Sequence, residues 1–165
     1  MTRSFTTQIV ALAFLMLHAA AYARDLQSLP GQVIRIVDGD TIVLESDGAR
    51  HRVRLAGIDA PERNQPWGDA STRELRRQVA GQHVLVEWYK RDRWKRLIGV
   101  IRLDGDDMNL HMVDRVLAWH YKRYADEQNP EDRAAYAEAE KVAQWARRGL
   151  WSDPQPIAPW EWRKR

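Results

Sequence analysis

The sequence predicts an α+β domain, a five-stranded β-barrel carrying three α-helices. Three observations lead there. Five short β-rich runs occupy residues 33–103, one helix-patterned segment separates the third run from the fourth, and the other helical patterns follow the fifth. At 165 residues with 44% hydrophobic content, the chain can bury one ordinary core.

The amino-terminal residues read as a targeting segment. Arg3 gives a positive start, 9–17 is an apolar run and Ala21-Tyr22-Ala23 is a small-x-small cleavage site, so residues 1–23 are expected to be a cleaved signal peptide and Arg24 the mature start. An anchoring helix is the alternative, but the apolar run falls far short of the ~20 residues a membrane span needs. Export to the periplasm or medium follows, with no membrane association after cleavage. The chain has no cysteine, which excludes disulfide staples, a thiolate zinc site and a cysteine nucleophile.

The strand runs are 33–37, 41–45, 50–58, 84–89 and 97–103, with Ser46-Asp47-Gly48 as a tight turn between the second and third. Helices are expected at 70–80, capped by Asp69 and stopped at Gly81; at 110–117 after Asn109; and at 130–148, with Asn129 as cap, Pro130 in the first turn and Gly149 beyond the end. Such an order suits a partly open barrel of the oligonucleotide-binding type. Residues 24–152 form that domain, and the tail 153–165, with three prolines and two tryptophans, is expected to be an extended strap. Its alternative is a flexible terminus.

Net charge is +3 and the pI near 9.4, which suits a polyanionic partner without requiring one. Distribution says more. Residues 89–96 hold five cations and two aromatics, and His120-Tyr121-Lys122-Arg123-Tyr124 is a second basic-aromatic stretch. Cations neutralise phosphates and aromatic faces stack on bases; either run alone equally suits a solvated face.

The chemistry concentrates in Asp38-Gly39-Asp40-Thr41 and in 54–62, both at strand ends. Two carboxylates with a backbone carbonyl and water make a calcium or magnesium site, and Asp40 and Asp59 are the candidate ligands. Arg54 and Arg96 offer guanidinium forks matching phosphate oxygens. Glu62 can orient and deprotonate a water. Histidines 51, 83, 111 and 120 lack metal-type spacing, and no glycine-rich phosphate loop precedes a helix.

From about residue 31 to 151 the chain resembles the staphylococcal nuclease (thermonuclease) family, through Val37-Asp38-Gly39-Asp40-Thr41, Arg54-Leu55, Gly57-Ile58-Asp59-Ala60-Pro61-Glu62, Asp92-Arg93-Trp94-Lys95-Arg96 and Leu117-Ala118. The resemblance implies calcium-assisted attack of water on the phosphodiester, releasing a 5'-hydroxyl and leaving a 3'-phosphate; DNA and RNA are the expected substrates and a monomer the expected state. It also implies Asp40, Asp59 and the Ala60 carbonyl as Ca2+ ligands, with Asp38 supporting them. Glu62 would be the general base, Arg54 and Arg96 the phosphate-binding pair, and Arg93, Trp94, Lys122 and Tyr124 the nucleotide pocket. The chain departs from the pattern at Ala60, where threonine is familiar, and at Lys95, where glycine is usual and a positive φ would strain lysine. The loop between Glu62 and Trp67 is also short. A single-strand-binding module without catalysis is the competing class; two acidic residues in a polyanion cleft weigh against it.

Overall fold

The computed structural model describes residues 26–165; the expected signal peptide, residues 1–23, lies outside them. Among the described residues there are eight strands, arranged around the predicted five. They are β1 (Gln27–Asp38), β2 (Thr41–Ser46), β3 (Ala49–Leu55), β4 (Ile58–Asp59), β5 (His83–Arg91), β6 (Leu97–Leu103), β7 (Asp106–Asp107) and β8 (Trp119–His120). Among the described residues four α-helices accompany them: α1 (Gly68–Val79), α2 (Met108–Asp114), α3 (Pro130–Trp145) and α4 (Pro159–Trp162).

The main sheet runs β3-β2-β1-β5-β6-β7, and a parallel pairing of β3 with β6 closes five of its strands into a barrel. The long β1 makes closure possible, because its first half pairs with β5 and its second half with β2. Closure removes the open edges that five short strands would otherwise expose. Inside sit Val33, Ile42, Leu44, Val53, Leu55, Val86, Leu97 and Ile101, supplied by alternate positions of the strands. Leu75 and Val79 of α1 and Met112 of α2 seal the barrel, with Tyr136 of α3 in the same core.

Several boundaries differ from expectation, each for a local reason. The predicted strand 50–58 breaks after Leu55 at Gly57, whose φ of 71° turns the chain, and Ile58–Asp59 leaves the barrel to pair with Trp119–His120. Helix α1 starts at Gly68 behind a left-handed Trp67 and has no side-chain cap, so Asp69 lies in its first turn instead of capping it. Helix α2 starts two residues earlier than expected, with Asp107 as its cap accepting from the Leu110 N–H at 2.9 Å. Asn109 is buried, its amide donating to the Ala56 and Gly99 carbonyls at 3.0 and 3.1 Å and its oxygen accepting from Ile101 N–H at 3.2 Å. Helix α3 has the expected Asn129 cap, 2.8 Å from Asp132 N–H, but ends at Trp145, and a 3-10 turn (Gly149–Ser152) follows.

The tail is laid over the domain, as a strap would be, but it closes with the single turn of α4 instead of staying extended. Among the described residues no helix is long and apolar enough to cross a membrane.

Candidate active site

Asp38 ends β1, Gly39 turns, and Asp40 leads into β2. The turn is tight because α1 leans on it: a Cβ at Gly39 would sit 2.0 Å from Ser71 Oγ. Asp40 N–H donates to Asp38 Oδ1 at 3.2 Å and Thr41 Oγ1 to Asp40 Oδ1 at 3.0 Å. The Gly57 turn then brings the 58–62 segment opposite, where Ala60 N–H donates to Asp40 Oδ2 at 2.8 Å. That bond spans 20 positions and joins the two candidate loops.

Arg54 is fixed between them. Its Nη1 donates to the Leu55 and Ile58 carbonyls at 3.0 Å each and lies 3.1 Å from Asp40 Oδ2, while Nη2 donates to Asp59 Oδ1 at 2.7 Å. The Asp59 side chain is 1% exposed. Burial and the neighbouring Asp40 charge push Asp38 up to about 6. Burial also raises Asp59, against the opposing pull of Arg163 and Arg54. Burial is the main cause of both shifts, and this wall of the cleft sets four carboxylates, Asp38, Asp40, Asp59 and Glu62, against two guanidiniums, Arg54 and Arg163, a shortage of positive charge.

That shortage is the test a cation must fit. Among the described residues no three histidine, cysteine or carboxylate side chains surround one point. A metal ion here would therefore rest on Asp40, Asp59, the Ala60 carbonyl and water, a hard-oxygen set suited to Ca2+ or Mg2+ and foreign to zinc. Alanine at 60 takes nothing from a carbonyl donor.

The short 62–67 loop is closed by Gln65, whose N–H donates to the Glu62 carbonyl at 2.9 Å and whose Oε1 accepts from Glu62 N–H at 3.1 Å. This sets Glu62 at the rim, 39% exposed, with its carboxylate held by Arg163 Nη1 at 2.6 Å.

Across the cleft, the β5–β6 turn carries Arg96. Lys95 has φ 64°, the left-handed conformation anticipated for this position, and Arg96 beside it lines the cleft. Asp92 secures the turn by accepting from the N–H groups of Trp94 and Arg96, each at 2.9 Å, and from Arg96 Nε at 2.7 Å. Burial opposes the Asp92 charge, but these bonds prevail and hold its carboxyl below the usual range.

Between the walls lies a cleft of about 470 Å³, lined by Asp38, Asp40, Arg54, Asp59, Ala60, Glu62, Arg93, Trp94, Arg96 and Tyr124. Trp94 is 59% exposed and the Arg93 guanidinium lies 4.0 Å from its ring centroid. The structure thus gathers all but one of the sequence-predicted residues around one cavity. The exception is Lys122, which points to the buried Glu140 of α3 and does not line the cleft; Tyr121 and Arg123 do. Arg163 also lines it, and the sequence reading missed it. Its only forewarning was the pair of tail tryptophans, which argue that the tail docks.

Comparisons with known proteins agree with this geometry. The family model described as staphylococcal nuclease homologue matches residues 52–153. An uncharacterized endonuclease of Escherichia coli O157:H7 is 40% identical over 136 residues, covering 82% of this chain and 85% of its own. A protein named micrococcal nuclease from Shigella flexneri is 38% identical over 143 residues (81% and 80%), and an uncharacterized endonuclease of Haemophilus influenzae is 32% identical over 159 (96% and 86%). A closed five-stranded barrel, the paired acidic and arginine loops at its mouth and these matches together place the chain in the staphylococcal nuclease homologue family.

Proposed function

We propose that the protein is an exported, calcium-dependent nuclease that hydrolyses phosphodiester bonds of DNA and RNA with little sequence preference, leaving 3'-phosphate ends and acting as a monomer. The observation that carries this reading is the meeting of Asp40, Asp59, Arg54 and Glu62 on one wall of a cleft whose other wall holds Arg96 and Trp94. A module that only bound strands would gain nothing from buried carboxylates facing a polyanion, since each repels phosphate unless a cation intervenes.

Hydrolysis forms a bond from water oxygen to phosphorus and breaks the bond from phosphorus to the 5'-oxygen, which takes a proton from solvent and leaves as a hydroxyl, with charge building on the phosphoryl oxygens. Arg54 meets that charge from a position already fixed by two carbonyls and two carboxylates, so little reorganisation is needed when substrate arrives. Arg96 does so from the opposite wall, its Nε kept on Asp92. Glu62 takes the proton of the attacking water. Asp40, Asp59 and the Ala60 carbonyl would hold the calcium ion, which supplies electrostatic stabilisation of the phosphoryl charge when bound. Trp94 offers an exposed face for stacking on a base, a contact that tolerates any sequence.

The test is cleavage of single-stranded DNA, duplex DNA and RNA by residues 24–165 with calcium, magnesium or chelator, followed by analysis of product ends. Calcium-dependent cutting that leaves 3'-phosphates is expected. Binding without cutting under every condition would favour the single-strand-binding module.

A further inference from the structure

The C-terminal tail is anchored at several points beside this cleft. Gln65 Nε2 donates to the Ile157 carbonyl at 2.7 Å, and Trp162 Nε1 donates to Asn64 Oδ1 at 3.1 Å. Trp160 packs 5.5 Å from Trp119 and 5.2 Å from Tyr121, centroid to centroid, while Ala158 and Pro159 are buried. These contacts set α4 against the 62–67 loop, and Arg163 leaves its C-terminal end pointing at the carboxylates. Arg163 Nη2 donates to Asp59 Oδ2 at 2.7 Å; Nη1 donates to Glu62 Oε1 at 2.6 Å and lies 3.3 Å from Asp59 Oδ1.

Asp59 and Glu62 carry like charges and face one cavity. Left alone, the partly exposed Glu62 would swing into water, where its carboxylate is best solvated. A guanidinium fork shared between the two removes that tendency, because its planar donors fix both carboxylates at once. Burial disfavours the Arg163 charge, yet the bonds to Asp59 and Glu62 outweigh it and raise its pKa. Asp40 is untouched by Arg163 and stays with Arg54, Thr41 and Ala60, so the tail reaches the candidate metal ligands through Asp59 alone and the water-activating group through Glu62.

We propose that Arg163 is a positioning residue of the active site, pinning the Glu62 carboxylate beside Asp59 and making the C-terminal tail part of the active-site wall. This rests on the reading of Glu62 as the group that activates water. A carboxylate displaced by ~1 Å from its working position costs up to about 100-fold in rate, so the pin matters to turnover more than to binding.

The experiment compares the parent, Arg163→Met, Arg163→Lys, Glu62→Gln and the double variant Arg163→Met/Glu62→Gln. Steady-state cleavage of single-stranded DNA at saturating calcium is measured alongside calcium affinity by calorimetry. Methionine keeps much of the aliphatic stem, and circular dichroism and thermal melting check that each variant folds. Arg163→Met should lower kcat about 10- to 100-fold with KM within about twofold, and Arg163→Lys should recover part of the loss. In the Glu62→Gln background the same change should cost less than about threefold, because Arg163 acts through Glu62. Calcium affinity should stay within about threefold, since Arg54 continues to hold Asp59.

Unchanged kcat in Arg163→Met, or losses that simply add in the double variant, would overturn the proposal. Faster cutting with tighter calcium binding would also overturn it, identifying Arg163 as a plug that competes with the ion. If the parent cuts and Glu62→Gln cuts equally well, the assignment of Glu62 fails and takes this proposal with it. A parent that cuts nothing would refute the nuclease reading and the positioning role together.

Discussion

Single residues set the chemistry here, and their environments decide what each can do. Asp59 is buried at the meeting point of two arginines, so removing its charge strips Arg54 and Arg163 of a shared partner as well as removing a candidate ligand. Asp59→Asn should lower calcium affinity and cleavage by at least about 100-fold, measurable by calorimetry and product formation. Lys95 sits at φ 64°, a conformation that costs an L-residue about 1–2 kcal/mol. Part of that is returned by the greater freedom of glycine in the unfolded chain. Lys95→Gly should therefore stabilise the fold by about 0.5–1 kcal/mol in urea titration, with Arg96 still held by Asp92. At this scale the sequence was informative, because acidic and arginine residues at strand ends have few roles open to them. Arg163 was hidden because its bond to Glu62 spans 101 positions and depends on the path of the tail. Lys122 was misplaced for a related reason: the basic-aromatic run folds as a 3-10 turn (Lys122–Glu127), and its first cation faces α3 instead of the cleft.

At the scale of elements, polar contacts bind helices and strands where the hydrophobic pattern alone leaves their ends undetermined. Asn109 ties the start of α2 to three backbone groups from the β3–β4 connection and β6. Asn109→Ala would take a partner from each of them, with the Gly99 carbonyl keeping the Ala56 N–H at 2.8 Å, and a loss of roughly 2–4 kcal/mol in unfolding free energy is expected by chemical denaturation. Glu74 joins α1 to α2, accepting from Arg77 and Gln78 on its own helix and pairing with His111 at 2.8 Å. The Arg77 bond above all lowers its carboxyl to about 2 from an ordinary 4.5. A depressed acid contributes stability that is complete above pH 4.5 and fades as pH falls toward 2. Glu74→Gln should flatten that part of the acid-stability curve, read as melting temperature against pH, while leaving neutral-pH activity intact. The five barrel strands and three main helices were legible from periodicity and turn residues. The two-residue strands β4, β7 and β8 were not, since so short a segment has no period and forms only when its partner arrives. The start of α2 was expected at residue 110 and lies at Met108, because Asp107 takes the cap and Asn109 is buried within the first turn.

Across the whole molecule, barrel closure brings the acidic β1–β2 connection and the acids of β4 and the loop after it to one side of the cleft and the basic β5–β6 turn to the other. With a formal net charge of only +3, affinity for nucleic acid arises from this local pattern and not from the overall field. Binding of single-stranded DNA by a cleavage-dead variant should weaken steeply with salt and vary little with base sequence, since phosphate contacts and stacking carry little base information. Fluorescence anisotropy at several salt concentrations would show it. The same architecture makes the tail a neighbour of the reaction, which a reading of the barrel alone would treat as an appendage.

Turnover of single-stranded DNA by the parent and by Glu62→Gln, at saturating calcium and substrate, decides whether Glu62 activates water for hydrolysis in this cleft. A fall of at least about 100-fold in kcat, with DNA affinity retained, is the predicted result. Equal rates in the two proteins, or no cleavage by the parent, would contradict the account.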